Sequence, residues 1–248
     1  MAQKYFIQLQ YLGTNYHGWQ IQPNAITVQE KLDHALSTLL NQKIETVGCG
    51  RTDTGVHASD FYAHFITKQK IEDVEKKVNA LNIFLPKDIS VLRIIEVDEN
   101  AHARFDAIYR TYRYNIHLLK NPFVKDVSCK VNVQLNLSLM NEAAEILKEY
   151  SDFTSFSKTN TQVFTNNCSI TKAKWHVLND NQYYFEITAD RFLRNMVRAI
   201  VGTLFLVGTQ KRTIEEFRNI IESKNRKQAG KSVDACGLFL FKVGYSYL

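Results

Sequence analysis

Long apolar runs are missing from this sequence. The most apolar stretch, Ala199 to Gly208, is far too short to span a bilayer. The opening residues, Met-Ala-Gln-Lys-Tyr-Phe-Ile-Gln-Leu-Gln, read as a strand and lack a signal-peptide pattern. Cysteine is sparse. Cys49, Cys129, Cys168 and Cys236 are scattered, with no Cys-x-x-Cys, so neither a zinc site nor a disulfide framework is indicated. His17, His34, His64, His117 and His176 show no metal-ligand spacing. These absences predict a soluble cytoplasmic protein with reduced thiols. Glycine is scarce too, at 10 in 248 residues. Even so, Gly48, Gly50 and Gly55 crowd around Asp53.

What is present begins with an excess of positive charge. Lys and Arg number 31 against 25 Asp and Glu, a net charge of +6 with a pI near 9.0. That balance suits a nucleic-acid partner without requiring one. A 45% hydrophobic content over this length supports one large domain or two small ones.

Periodicity orders the chain. Lys4 to Tyr11 reads as a strand. Thr27 to Glu30 reads as a capping box opening a helix with Val28, Leu32, Ala35, Leu36, Leu39 and Leu40 on its apolar face. Ile44 to Cys49 and Phe61 to Thr67 read as strands flanking the Asp53 loop. A helix from about Glu72 to Phe84, stopped by Pro86, precedes a β-branched strand, Ile89 to Val97. The order is β-α-β-β-α-β. The polar segment Asp98 to Arg104 is the expected domain boundary.

The second half repeats the order. Phe105 to Leu118 reads as a long strand, followed by a helix capped by Ser138. Ser169 to Leu178 and Tyr183 to Ala189 are strands, then a helix runs from about Phe192 to Val207. A short added helix, Ile214 to Ser223, precedes a last strand, Gly237 to Tyr245. Phe153 to Asn167 shows no periodicity and reads as loop. The expected fold class is α+β, with two tandem ferredoxin-like halves. Their expected extents are residues 1–104 and 105–248.

Three constellations carry chemistry. Asp53 sits within Gly50-Arg51-Thr52-Asp53-Thr54-Gly55-Val56-His57. A turn aspartate often only bonds its own loop. Arg51 and His57 beside it suggest that an anionic or polar ligand is brought against the carboxylate. Asp53-Thr54-Gly55 also matches the motif of aspartic proteases, which need two carboxylates sharing a proton. No second such triplet exists here, and Arg51 would set a cation in an apolar strand.

The second constellation is Arg104-Phe105 with Arg110, Tyr112, Arg113 and Tyr114. Arg110, Tyr112 and Tyr114 share one face of a strand. Arginines interleaved with aromatics on a sheet offer stacking surfaces for unpaired bases, or simply pack and solvate. The third is Arg191, Arg194 and Arg198, whose spacing predicts one stripe of a helix. On an otherwise apolar helix such a stripe needs an anion to face. Lys224 to Lys227 with Lys231 is a basic run of the kind found in solvated loops.

Taken together these residues closely resemble the TruA-type tRNA pseudouridine synthases. The resemblance runs through Tyr16-His17-Gly18-Trp19-Gln20, Val28-Gln29-Glu30, Gly50-Arg51-Thr52-Asp53, Gly55-Val56-His57 and Leu85-Pro86. It continues through His102-Ala103-Arg104-Phe105, Tyr112-Arg113-Tyr114, Asp152-Phe153-Thr154-Ser155-Phe156, Met196-Val197-Arg198 and Gly237-Leu238. Many motifs in one order are far more specific than any one of them.

The resemblance implies two ferredoxin-like domains with a shared, mostly antiparallel sheet and a basic cleft between them. It implies a homodimer acting on tRNA, at uridines 38, 39 and 40 of the anticodon arm. No metal, redox or other small-molecule cofactor is implied, since nothing is oxidised or lost in the reaction. By resemblance Asp53 is the catalytic carboxylate, Arg198 its charge partner, and Tyr112 packs on the target uracil. Arg51 matches a residue that helps turn the base out, and Leu238 lines the pocket. His57, Arg104, Phe105, Arg110, Arg113 and Arg194 are the further expected RNA contacts. Thr54, Ala58-Ser59-Asp60 and Thr111 depart from the common family pattern, and bear on which uridines are taken.

Overall fold

A computed structural model describes residues 2–158 and 164–248. Along the chain run β1 (Gln3–Tyr11), α1 (Val28–Leu40), β2 (Val47–Gly48), β3 (His57–Thr67), α2 (Val74–Phe84) and β4 (Ile89–Val97). There follow β5 (Tyr109–His117), β6 (Cys129–Lys130), α3 (Leu137–Ile146), β7 (Ile170–Asn179) and β8 (Gln182–Ala189). The chain continues through α4 (Met196–Gly208), α5 (Ile214–Glu222) and β9 (Leu238–Gly244). The class is mixed α+β with mostly antiparallel strand pairing.

The chain packs as two units. One holds the residues up to Ile108 together with Phe239–Leu248; the other is Tyr109–Leu238. Residues 105–108 and the final strand thus pack with the first unit, although they follow Arg104 in sequence.

In the first unit the strand order is β4-β1-β3. The outer edge of β3 is shared. His64 and Ala63 pair with β2, while His57 and Ala58 pair in parallel with Phe239 and Leu240 of β9. Helix α1 forms where expected, with only the Thr27 half of the expected capping box. The Thr27 hydroxyl accepts from the Glu30 N–H at 3.3 Å, and Asn41 closes the helix at φ 50°. Val28, Leu32, Ala35 and Leu36 are buried, and each large side chain removed from water contributes about 1.5–3 kcal/mol. Tyr5, Leu9, Phe61 and Phe65 fill the sheet side of this core, while Phe6, on the opposite face, packs against His64, Tyr245 and Tyr247.

Of the expected strand Ile44 to Cys49, only Val47–Gly48 joins the sheet. Backbone donors before it serve α1 instead: Ile44 N–H goes to Ser37 Oγ at 2.9 Å and Thr46 N–H to Asp33 Oδ1 at 3.0 Å. The expected strand from Phe105 starts at Tyr109, because His102 to Asp106 is tied into a turn by Asp106 N–H donating to the His102 carbonyl at 3.0 Å.

In the second unit β8 lies between β5 and β7, and β6 pairs in parallel with β5. Trp175 packs on Phe185 and Phe205, with ring centroids 5.2 and 5.9 Å apart. Helix α3 is capped by Asn136, whose side chain accepts from Leu139 N–H at 3.1 Å. Ser138 falls inside the first turn, so it is not the cap. A complete capping box, Thr213 with Glu216, starts α5. The expected loop Phe153 to Asn167 contains a 3-10 turn at Thr154–Phe156 and otherwise lies partly outside the described residues.

Candidate active site

The Asp53 loop joins β2 to β3, and its shape is set by backbone contacts with residues 13–19. Gly55 N–H donates to the Tyr16 carbonyl at 3.2 Å and Trp19 N–H to the Thr52 carbonyl at 3.3 Å. Val56 N–H donates to the Asp53 carbonyl at 3.1 Å, closing a tight turn in which Gly55 has φ +76°. The Thr52 hydroxyl meets the Tyr11 hydroxyl at 2.9 Å in a buried contact. Two close approaches explain why glycine precedes the loop. A Cβ on Gly13 would stand 2.0 Å from the Val56 carbonyl oxygen, and one on Gly18, at φ +88°, 2.2 Å from that of Thr52. Gly50 has open space around it, so sterics do not require glycine there.

Asp53 emerges half-buried from this frame, with Arg51 and Thr54 exposed beside it. His57, by contrast, is fully buried. Its Nδ1 accepts from Gly13 N–H at 2.9 Å, and its ring stacks on Phe239 at 4.6 Å. In this structure His57 braces the loop from beneath.

Arg104 and Phe105 stand on a knot that the sequence reading did not resolve. His102 Nδ1 accepts from Arg104 N–H at 3.1 Å and Phe105 N–H at 3.3 Å. His102 N–H donates to Asp106 Oδ2 at 2.7 Å, which also accepts from the Tyr247 hydroxyl at 2.7 Å. These bonds hold the Asp106 carboxyl below its usual range. His64 accepts from Ala103 N–H at 3.1 Å, and burial, then the charges of His102 and Lys4, push its imidazole down to about 4. The knot displays Phe105 with 74% of its surface exposed, and Arg104 over its ring at 5.7 Å.

In the second unit, β5 presents Arg110, Tyr112 and Tyr114 on one face. Tyr112 is half-buried, edge-on to Phe192 at 5.0 Å, while Tyr114 is in the core. Arg110 donates to the Asp190 carbonyl at 3.0 Å. Arg113 is engaged with Glu186 at 2.7 Å and lies 4.8 Å over the Tyr184 ring. Burial pushes the Glu186 carboxyl up, but Lys172 and Arg113 outweigh it and keep it below the ordinary range.

Helix α4 begins at Met196, so Arg191, Arg194 and Arg198 do not form one helical stripe. Asn195 has φ +65°, a left-handed turn that separates Arg191 and Arg194 from the helix. Arg198 alone lies in its first turn, where its Nε donates to the Val233 carbonyl at 2.7 Å. The strand-like segment it touches is pressed on α4. A Cβ on Gly202 would stand 1.8 Å from the Lys231 carbonyl oxygen. Arg194 is exposed, and Leu238 is buried at the start of β9.

One unit therefore fixes a carboxylate on a braced loop, and the other a guanidinium and a tyrosine on a helix and a strand. A family profile described as tRNA pseudouridine synthase matches residues 7–106 and 143–246, which include Asp53, Arg104, Phe105 and Arg198. The chain belongs to the tRNA pseudouridine synthase family and is an isomerase acting on uridine in tRNA. Within that family its relatives carry one name. It is 52% identical to tRNA pseudouridine synthase A of Bacteroides fragilis, over 98% of this chain and 97% of that one. It is 50% identical to the Porphyromonas gingivalis protein of the same name, with the same coverage. It is 42% identical to that of Ruminiclostridium cellulolyticum, over 96% and 98%. Among the described residues no helix is long and apolar enough to cross a membrane.

Proposed function

We propose that this protein isomerises uridines 38, 39 and 40 of the tRNA anticodon arm to pseudouridine, with Asp53 as the key catalytic residue. The observation that carries this reading is the Asp53 loop itself. Its carboxylate is half-exposed on a backbone braced from two sides, within a segment that matches the family. A group held that way loses little entropy when a substrate arrives.

The reaction breaks the bond from uracil N1 to ribose, turns the base and rejoins it through C5. Asp53 attacks the ribose, attacks uracil C6, or takes a ribose proton to give a glycal; each route needs it ionised. Arg198 is its charge partner by the family resemblance. Tyr112 packs on the uracil and assists proton transfer at C5. Arg51 fills the gap left by the extruded base, offsetting part of a cost of a few kcal/mol. Leu238 lines the pocket. His57 acts through the loop. Arg104, Phe105, Arg110, Arg113 and Arg194 track phosphates and bases. The order β4-β1-β3 with β2 on β3 supports a ferredoxin-like first half. By the same reading the first unit carries the catalytic loop, and the second supplies Arg198 and Tyr112. The enzyme is a cytoplasmic homodimer.

The test is incubation with unmodified tRNA transcripts and mapping of pseudouridine at single-nucleotide resolution. Wild type should modify positions 38 to 40. Asp53→Asn should lose turnover by about a thousandfold or more while still binding tRNA, because phosphate contacts dominate affinity. Wild type that binds tRNA without forming pseudouridine would replace this reading with a non-catalytic RNA-binding one.

A further inference from the structure

Two of the four cysteines, far apart in sequence, come together in the second unit. Cys129 lies in β6, paired with Ile116 of β5. Cys236 lies in the 3-10 turn Ala235–Gly237. That turn is pressed onto the same strand. A Cβ on Gly237 would stand 2.6 Å from the Asn115 carbonyl oxygen and 2.9 Å from the Tyr114 ring. The Tyr114 hydroxyl donates to the Asp234 carbonyl at 2.9 Å, fixing the turn's entry. The Cys236 thiol lies 3.8 Å from the Ser128 carbonyl, one residue before Cys129. The two thiols are within hydrogen-bond reach of each other, and the Tyr114 hydroxyl reaches Cys129 as well.

The other cysteines differ. Cys49 and Cys168 are buried, and burial pushes the Cys168 thiol up to about 12. Such thiols are inert packing groups. Cys129 and Cys236 are half-exposed. The hydrogen bond with Cys236 overrides burial and draws the Cys129 thiol below its usual range. The same bond pushes Cys236 up. The pair is thus polarised, with Cys129 the more readily ionised sulfur. Simple packing of two small residues calls for neither asymmetry nor exposure.

We propose that Cys129 and Cys236 form a reversible disulfide, with Cys129 as the peroxide-reactive thiol and Cys236 as the resolving thiol. The Cys129 thiolate attacks one oxygen of a hydroperoxide. The O–O bond breaks, Cys129 becomes a sulfenic acid, and the other oxygen leaves as water or an alcohol. Cys236 sulfur then attacks the sulfenic sulfur, its proton leaving with the hydroxyl as water. Two thiols are oxidised by two electrons, and the peroxide is reduced by two. A low-molecular-weight thiol reverses the step by exchange. The bond ties the 235–237 turn to β6, two residues before Leu238. Any effect on turnover rests on the uridine-isomerising reading; formation of the bond does not.

The experiment uses the full chain, reduced and then exposed to hydrogen peroxide, followed by peptide mapping without reductant. Expected is a crosslinked peptide pair joining Cys129 to Cys236, about 2 Da lighter than the two thiol peptides together, and lost on adding dithiothreitol. In Cys236→Ser the crosslink should be absent, and a sulfenic-acid trap should label Cys129. At pH 7 Cys129 should alkylate at least about tenfold faster than Cys49 in the native protein. Wild type that gives no Cys129–Cys236 crosslink, or Cys129 alkylation no faster than Cys49, would overturn the proposal. The alkylation arm needs no substrate, so it separates this outcome from failure of the RNA reading.

Discussion

The two units hold their key side chains by opposite means. Asp53 is short, and the path of its backbone is set by Gly13, Gly18, Tyr16 and Trp19 from one side and by His57 from beneath. Arg198 is long, and its Cα position in α4 leaves the guanidinium many possible directions. Here one of its own donors is used for aiming: Nε is bound to the Val233 carbonyl, on a segment that Gly202 allows to touch the helix. A short carboxylate follows the main chain that carries it, whereas a long, flexible cation is aimed by an anchor on its own side chain.

Gly202→Ala and Gly13→Ala strike the two clamps separately. Each new Cβ meets backbone at 1.8 and 2.0 Å, which cannot rotate away. Each should cost about 3 kcal/mol or more of stability, read from denaturant midpoints at constant slope. Local damage should differ. Hydrogen exchange should rise in residues 51–57 for Gly13→Ala and in residues 196–203 for Gly202→Ala. Loosening of both regions in either variant would show that the clamps are not independent.

Asp33 gives a smaller effect, confined to the first unit. It lies on the buried face of α1, and burial raises its carboxyl to about 6 despite hydrogen bonds from Thr46. A folded pKa above the unfolded value means that stability is full below about pH 3.8 and falls as pH rises through 6. Asp33→Asn keeps an oxygen for Thr46 and carries no charge. It should match wild type near pH 4 and exceed it at pH 7 by up to about 3 kcal/mol, from a shift of roughly two units. An equal difference at both pH values would remove desolvation as the cause.

Smallest is His102→Ala. It removes the acceptor for two N–H groups beneath Arg104 and Phe105. With each bond worth about 1 kcal/mol, tRNA affinity should weaken about fivefold to thirtyfold while turnover of bound tRNA holds. A fall in turnover with unchanged affinity would place His102 in the chemistry instead.

Much of this was legible in the sequence. The periodicity of Val28 to Leu40 and the motif around Asp53 gave a helix and a loop where both occur. What escaped was decided by single residues or by distant ones. Arg191, Arg194 and Arg198 have helical spacing, yet one left-handed asparagine at 195 breaks the register, and spacing alone does not reveal it. Asn136, two residues before Ser138, wins the cap because its longer side chain reaches Leu139 N–H from outside the helix. His57 reads as a ligand-facing residue beside Asp53, but a partner at Phe239 buries it. No local pattern could announce a contact across so much intervening chain.

That last pairing has a consequence for biogenesis. The edge of β3 next to the Asp53 loop is completed by Phe239 and Leu240, which a ribosome makes long after His57. Until then His57 lacks its stacking ring and the nascent first unit lacks one strand. Enclosing the whole second unit between the two ends of this pairing is costly in chain entropy only logarithmically, but it fixes the order of events. The strand edge beside the Asp53 loop is therefore among the last parts of the first unit to be completed.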